Sequence, residues 1–236
     1  MHLLDLTLDS PAANLALDEA LLDACENGGA EVLRFWESSA YFVVVGYSNQ
    51  IETEVNVAEC RKRNIPILRR CSGGGTVLQG PGCLNYSLIL NFETEPKLQT
   101  IPGANCSIMR RNAQALTKLL NREVDVRGIT DLAVGDLKFS GNAQRRKRRA
   151  LIFHGTFLLT FNLELVSQLL RRPSKEPDYR VGREHKKFLT NIHIDPQRIK
   201  DALSAAWNAD QRLRELPAIE ELVREKYSTD EWNLKF

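Results

Sequence analysis

The chain has 236 residues, 43% hydrophobic and 26% charged, and its 32 Lys and Arg against 30 Asp and Glu leave a formal net charge of +2. That charge is too small for bulk nucleic-acid binding. No apolar run reaches the ~18 residues of a membrane span, and the first residues lack the basic-then-apolar order of a signal peptide. Five cysteines, odd in number and without a C-x-x-C pair, argue for reduced thiols in a cytoplasmic protein and against a disulfide frame or a zinc site.

Ser10 and Pro11 read as an N-cap and a first helical residue. The helix they open turns Leu15, Leu17, Ala20, Leu21, Leu22 and Ala24 inward and stops at Gly28 and Gly29. Two β-rich runs, 31–36 and 41–45, are followed by a polar loop at 46–50 and a helix over 55–63 that Pro66 closes. The apolar run 65–68 then leads into Arg69, Arg70, Cys71 and Ser72, three glycines at 73–75, and another strand over 85–92. Adjacent glycines are costly inside an element but suit a sharp turn whose freed amides form a concave donor set for an anion. Arg69 and Arg70 bring positive charge to its entrance, and at least one is expected to grip phosphate or carboxylate in a fork. The stretch is neither a P-loop nor G-x-G-x-x-G, so the residues alone leave two readings, an anion cradle or a Gly-rich hairpin corner.

A helix over 104–120 buries Ile108, Ala113, Leu116, Leu119 and Leu120 and turns Arg110, Arg111 and Lys118 outward. A dense β region follows at 124–126, 132–134, 137–142 and 151–161, with a turn at Gly135 and Asp136. The basic run 145–149 is either a solvated hairpin tip or a docking patch for an acidic protein or a nucleotide tail. A short helix over 163–171 precedes an irregular polar loop at 173–187 that could serve as a mobile lid. Helices over 196–208 and 216–227 end the chain, with Trp207 expected to pack on the sheet. No repeat or linker divides it, so a single domain over 1–236 is expected, with a helical tail at 196–236 and no separate accessory domain. Irregular alternation and successive tight turns point to an α+β fold, its sheets mixed or mostly antiparallel and flanked by helices.

A second constellation lies in the β region. Lys138 stands among apolar residues, where its ammonium is partly desolvated unless an anion meets it. Gly141 after Ser140 allows a ligand close to the backbone, and Asp131 sits on a turn that suits Mg²⁺. His154, Gly155 and Thr156 interrupt an apolar strand. Alone, the histidine reads equally as a structural hydrogen-bonding residue and the lysine as an ordinary strand-edge charge. Together they fit an enzyme that activates a carboxylate with a nucleotide.

The ordered motifs Asn-Leu-Ala-Leu-Asp-Glu at 14–19, Leu-Arg-Phe-Trp at 33–36, Val-Val-Gly-Tyr-Ser-Asn-Gln at 44–50, Arg-Arg-Cys-Ser-Gly-Gly-Gly at 69–75, Lys-Phe-Ser-Gly-Asn-Ala-Gln at 138–144 and His-Gly-Thr at 154–156 resemble the lipoate–protein ligase A family. That family lies within the biotin/lipoate ligase superfamily, and the likeness runs over residues 1–195. The resemblance implies a class II synthetase-like catalytic domain. It also implies a two-step reaction with ATP, Mg²⁺ and lipoate as substrate, ending on a lysine of a lipoyl domain of a 2-oxoacid dehydrogenase E2 or an H-protein-like carrier. By resemblance Lys138 is catalytic and Asp131 lies near the metal. Arg70, Ser72, Gly73, Gly74, Gly75, Thr76, Asn85, Ser140, Gly141, His154, Gly155 and Thr156 would bind substrate or nucleotide, and Val44 and Gly46 would line an acyl tunnel.

The sequence also departs from the family. Members often carry a C-terminal accessory domain, so adenylation here would need either another polypeptide or a compact variety that works alone. Thr130 stands where an Asn often precedes the aspartate, and Gln79 where a His is common. An octanoyltransferase of the same fold would use a cysteine, and 128–132 holds none, while Cys71 and Cys83 read as small packing residues. A biotin ligase would show G-R-G-R-x-G in place of Ser-Gly-Gly-Gly. A non-catalytic carrier-binding subunit would have no need of Lys138, Asp131 and the glycines together.

Overall fold

The computed structural model describes residues 1–93, 95–173 and 175–236. In chain order β1 (His2–Asp5) and α1 (Pro11–Glu26) precede β2 (Val32–Trp36), β3 (Phe42–Val45), α2 (Ile51–Glu54) and α3 (Val57–Lys62). Next come β4 (Ile67–Arg69), β5 (Val77–Gln79), β6 (Cys83–Asn91), α4 (Ile101–Leu120), β7 (Asp125–Arg127), β8 (Asp131–Val134), β9 (Leu137–Arg146) and β10 (Ala150–Leu158). The remainder is α5 (Leu163–Leu169), α6 (His185–Phe188), α7 (Pro196–Ala206), β11 (Gln211–Arg212), α8 (Glu220–Leu222) and α9 (Asp230–Asn233). Caps written in the sequence set the long helices. Ser10 Oγ accepts from the Ala13 amide at 3.1 Å, and Gly28 at φ +93° ends α1. Thr100 Oγ1 accepts from the Gly103 amide at 3.1 Å and starts α4 three residues before the expected boundary.

The strands form an eight-stranded sheet, ordered β11-β1-β2-β6-β10-β9-β8-β7, and a three-stranded one, β4-β3-β5. β1 runs parallel to β2 and β11, and β3 parallel to β4, while the other pairs are antiparallel. This is the mixed, mostly antiparallel α+β architecture expected. The central strand β6 is buried on both faces, which is why it reads as a mostly apolar run. Alternate residues diverge across it. Leu33, Phe35, Leu88 and Phe153 pack on Ile108, Leu116, Ile199 and Leu203 of α4 and α7, and Val32, Ile89 and Ile152 pack on Leu17 and Leu21 of α1. Trp207 joins the first of these layers and donates from Nε1 to Asn112 Oδ1 at 2.8 Å.

Several boundaries differ from the sequence reading. β1, β5, β11 and α2 were not expected, and the helix over 55–63 is α3 at Val57–Lys62, started by Asn56 accepting from the Glu59 amide. The stretch 216–227 is α8 running into a π-helical turn at Val223–Tyr227. The stretch 173–187 holds a 3₁₀ turn at Asp178–Arg180 and the start of α6, with residue 174 outside the described residues. The basic run is in part the solvated hairpin tip: residues 147–149 turn between β9 and β10 with Arg148 and Arg149 exposed, while the side chains before them are engaged. β9 continues through Arg146, and Arg145 donates to Cys71 O at 3.0 Å and Arg146 to Leu98 O at 2.7 Å. Lys147 pairs with Asp23, and Arg149 pairs with Glu93 at 3.0 Å. Among the described residues no helix is long and apolar enough to cross a membrane.

Candidate functional site

A cavity of about 670 Å³ opens where the two sheets meet, walled by the glycine stretch, β9, β10, Pro173 and side chains from 175–189. Leu15, Trp36, Val44, Leu78, Phe161 and Val166 line an apolar part of it. Of the residues singled out from sequence, Arg70, Gly74, Gly75, Thr76, Asn85, Asp131, Lys138, Ser140, Gly141, His154, Gly155 and Thr156 reach the same wall, and Ser72, Gly73 and Gly46 do not.

The two arginines before the glycines part company because successive residues leaving a strand face opposite sides. Arg69 is fully buried and turns away, its Nη1 donating to the carbonyls of Gly46, Tyr47 and Asn49 at 2.8, 3.2 and 2.9 Å. Arg70 turns toward the cavity, yet its fork is filled by its own loop. Nε donates to Ser72 Oγ at 3.0 Å, and Nη2 to the carbonyls of Gly73 and Gly75. The expected grip on an outside anion is thus a grip on the loop itself. Burial lowers the Arg70 pKa to about 10 and leaves it charged. Gly74 is at φ +86°, and a Cβ there would come within 2.9 Å of Arg70 Nη2, so glycine is required for the loop to fold over the guanidinium.

The polar end is built on the β8–β9 hairpin. Lys138 Nζ lies 2.7 Å from Asp131 Oδ1, and the Tyr179 hydroxyl donates to Asp131 Oδ2 at 2.9 Å. Burial and the Asp131 charge push the Tyr179 hydroxyl pKa well up, so it remains a donor. The lysine lies across Gly141, where a Cβ would stand 2.9 Å from Nζ. Both Asp131 oxygens are engaged within the protein, and among the described residues no three His, Cys, Asp or Glu side chains gather into a metal cage. Mg²⁺ is commonly held by one or two carboxylates together with substrate phosphates, so the Mg²⁺ role of Asp131 stays an expectation.

A buried relay behind this end was not singled out from sequence. Trp207 donates to Asn112, Asn112 Nδ2 to the Tyr86 hydroxyl at 3.0 Å, and Tyr86 to Asn142 Oδ1 at 2.6 Å. Asn142 Nδ2 donates to Thr130 O at 2.6 Å, and the Thr130 hydroxyl returns a bond to Asn142 O at 2.7 Å, which fixes the approach to Asp131. Gly155 is glycine because a Cβ would strike the Asn142 side chain.

At the other side His154 Nε2 is 2.5 Å from Ser72 Oγ, and its Nδ1 is 3.7 Å from Asp18 Oδ2. Asp18 also takes Arg34 Nη1 at 2.6 Å and the Ser87 hydroxyl at 2.8 Å. Burial pushes the Asp18 carboxyl up, but Arg34, His154 and Ser87 outweigh it and hold the carboxyl below its usual range. Gln79 Nε2 donates to Thr156 Oγ1, which donates to Asn85 Oδ1 at 2.6 Å. Gln79 Oε1 and Asn85 Nδ2 are left buried and unpaired against the cavity, one acceptor and one donor available to a ligand. Cys71 and Cys83 are buried and absent from the wall, and burial raises both thiols, Cys71 to about 12.

A family model described as the lipoyl protein ligase A/B catalytic domain matches residues 10–206. A candidate lipoate-protein ligase A of Aeropyrum pernix is 32% identical over 171 residues, 71% of this chain but 61% of that protein. Octanoyltransferase LipM of Geobacillus kaustophilus is 27% identical over 95% of this chain and 94% of its own length. Among solved structures, a candidate lipoate protein ligase of Thermoplasma acidophilum with bound lipoic acid has a TM-score of 0.82 at 25% identity, covering 100% of this chain and 99% of that one. The bipartite ligase of the same organism, described with its E2 lipoyl domain, has a TM-score of 0.82 at 25% identity, covering 99% and 96%. A lipoate-protein ligase A bound with ATP has a TM-score of 0.78 at 26% identity, covering 99% and 98%.

Proposed function

The chain belongs to the lipoyl protein ligase A/B catalytic-domain family, and we propose that within it this protein activates lipoate with ATP and passes the lipoyl group to a lysine of a lipoyl domain. In the first step a lipoate carboxylate oxygen attacks the α-phosphorus of ATP. The bond from that phosphorus to the bridging oxygen breaks, and pyrophosphate leaves with the electron pair. In the second step the carrier's ε-amine attacks the acyl carbonyl, AMP leaves, and the amine gives up a proton. Both steps bring anionic oxygens together, so a preorganised cation is the largest single aid the site can supply. Lys138 is that cation, and the observation that carries the reading is its place in the cavity wall, oriented by Asp131 while Asp131 is held by Tyr179. The apolar part of the cavity suits the acyl chain, and the Gly74–Gly75 edge, stiffened by Arg70, closes over the carboxyl end.

The octanoyltransferase reading has relatives behind it but needs a nucleophilic cysteine. What favours the ligase is that neither Cys71 nor Cys83 reaches the cavity and both thiols are held protonated. The partner would be a lipoyl domain such as an E2 domain or an H-protein-like carrier. A separate accessory chain would assist adenylation, as the bipartite description of the Thermoplasma protein suggests. The reduced cysteines suit a cytoplasmic setting. The test is Lys138→Ala in ATP–pyrophosphate exchange with lipoate. Exchange should be lost while circular dichroism and the unfolding midpoint hold, and an unchanged rate in the folded variant would refute the role.

A further inference from the structure

Four residues paired directly across the large sheet form one row along the cavity wall. Trp36 stands opposite Asn85, Asn85 opposite Thr156, and Thr156 opposite Gly141. Directly opposed residues share a face and neighbouring strands lie ~4.8 Å apart, so the row runs about 10 Å from Gly141 to Asn85 and about 14 Å to Trp36. Lys138 Nζ lies over the Gly141 end. An extended eight-carbon acid with its carboxyl group at Lys138 therefore brings its far end to Asn85 and Trp36. Gln79, on β5 of the smaller sheet, closes over that end by donating from Nε2 to Thr156, which donates to Asn85 Oδ1 at 2.6 Å.

A hydroxyl has one proton to give. Two amides joined through it are left with one open oxygen and one open nitrogen, whichever way each amide is turned. Here these are Gln79 Oε1 and Asn85 Nδ2, and Trp36 Nε1 is a third buried atom without a partner among the described residues. Gln79 and Asn85 are each 4% exposed and Trp36 3%. The polar side chains of the next row are engaged instead. Ser87 donates to Asp18 at 2.8 Å, Arg34 pairs with Asp18 at 2.6 Å, and His154 Nε2 meets Ser72 Oγ at 2.5 Å. Trp36 packs in one apolar cluster with Leu15 and Val44. An otherwise apolar pocket end thus presents two donors and one acceptor, a costly arrangement for a ligand that gives them nothing.

We propose that Gln79, Asn85 and Trp36 recognise two thiols at the far end of the acyl chain, so that the site prefers the reduced dithiol form of lipoate to the dithiolane and to octanoate. The proposal rests on the acyl-chain reading above and adds to it the form of the acid that is selected. A thiol is a weak donor and a weak acceptor, a disulfide sulfur only accepts, and a methyl group does neither. The dithiol gives an S–H to Gln79 Oε1 and sulfur lone pairs to Asn85 Nδ2 and Trp36 Nε1. The dithiolane leaves Gln79 Oε1 unpaired, and octanoate leaves all three. Polarizable sulfur against the indole ring adds to the preference. A site built on hydrogen bonds rejects an analogue that lacks the partner group more strongly than an apolar pocket rejects a missing methylene.

The test is calorimetric titration of the full chain with the dithiol, held reduced by a phosphine, and separately with lipoate and with octanoate. Wild type should bind the dithiol about 5-fold more tightly than lipoate and about 30-fold more tightly than octanoate. Gln79→Met keeps the size and removes the open acceptor, and should bring the dithiol and lipoate within about twofold of each other. Asn85→Val should narrow the gap between lipoate and octanoate. Wild-type affinities for the three acids within about twofold of one another overturn the proposal without any variant having to fold. A wild-type ranking that persists in folded Gln79→Met and Asn85→Val overturns it as well. Equal affinities alongside ATP–pyrophosphate exchange would sink the thiol recognition and leave the ligase standing. No binding of any of the three acids would sink both.

Discussion

Lys138 works at close quarters, and the residue beneath it decides how close. The ammonium lies over Gly141, where a methyl group would stand 2.9 Å from Nζ and 3.0 Å from Cε. The lysine end is flexible enough to move aside, so Gly141→Ala should cost less than ~1 kcal/mol of stability. If Lys138 acts as proposed, the same shift should lower kcat about 10- to 100-fold, since small misplacements of a catalytic group are expensive. Exchange rate and unfolding midpoint, measured together, separate the two effects. Asp18 carries a different prediction. Its folded pKa lies below the ordinary carboxylate value of ~3.9. The stability it contributes is therefore present above that value and is lost as pH falls through the folded one. Asp18→Asn should flatten that acid limb in melting curves taken from about pH 3 to pH 7. Because it leaves the fully buried Arg34 without its countercharge, it should also cost about 3 kcal/mol near neutrality. A variant whose melting temperature keeps the wild-type pH dependence would contradict this assignment.

At the scale of elements, the segment after the long α7 helix holds the glycine stretch from behind. Asn233 Oδ1 accepts from the Arg69 amide at 2.9 Å, and its Nδ2 donates to Tyr227 O at 2.9 Å. Trp232 Nε1 donates to Arg69 O at 2.8 Å, and Tyr227 reaches Glu19 on α1 at 2.7 Å. Since Arg69 in turn gathers the carbonyls of Gly46, Tyr47 and Asn49, α9 positions two loops beside the cavity. Asn233→Ala should cost about 1–3 kcal/mol through the buried groups it leaves unpaired. It should also raise the lipoate KM several-fold with little change in kcat, and an unchanged KM would show that the latch does not bear on the site. Little of this was legible beforehand. The glycine stretch, Lys138 and Asp131 announced themselves because charge and glycine adjacency are local signals. Which of Arg69 and Arg70 faces the cavity depends on how β4 is turned against β3, and no spacing states that. Asp18 looked like one more position on a helix until Arg34, sixteen residues away, closed on it. The Trp207–Asn112–Tyr86–Asn142 relay joins four elements, so only the assembled fold reveals it. β1, β5 and β11 have only two to four residues, and unlike the equally short β3, β7 and β8 they do not lie in a β-rich or apolar run that marks them.

Across the whole molecule, two sheets of unequal size supply unlike halves of one cavity. The three-stranded sheet and α5 bring apolar walls and the glycine loop, and the β8–β9–β10 edge of the larger sheet brings Lys138, Asp131 and His154. An acyl chain and an activated carboxyl group need that combination, and so would an octanoyltransferase of the same family. The measurement that separates them most directly supplies lipoyl-AMP, and in a parallel reaction octanoyl-loaded acyl carrier protein, to the purified chain with a lipoyl domain, and follows both by intact mass. It bypasses any need for an accessory chain in adenylation. Lipoylation of the domain from lipoyl-AMP, lost in Lys138→Ala, with no transfer from the carrier protein, is the expected result. Octanoyl transfer through an acyl-enzyme on Cys71 or Cys83, with lipoyl-AMP left unused, would contradict the ligase.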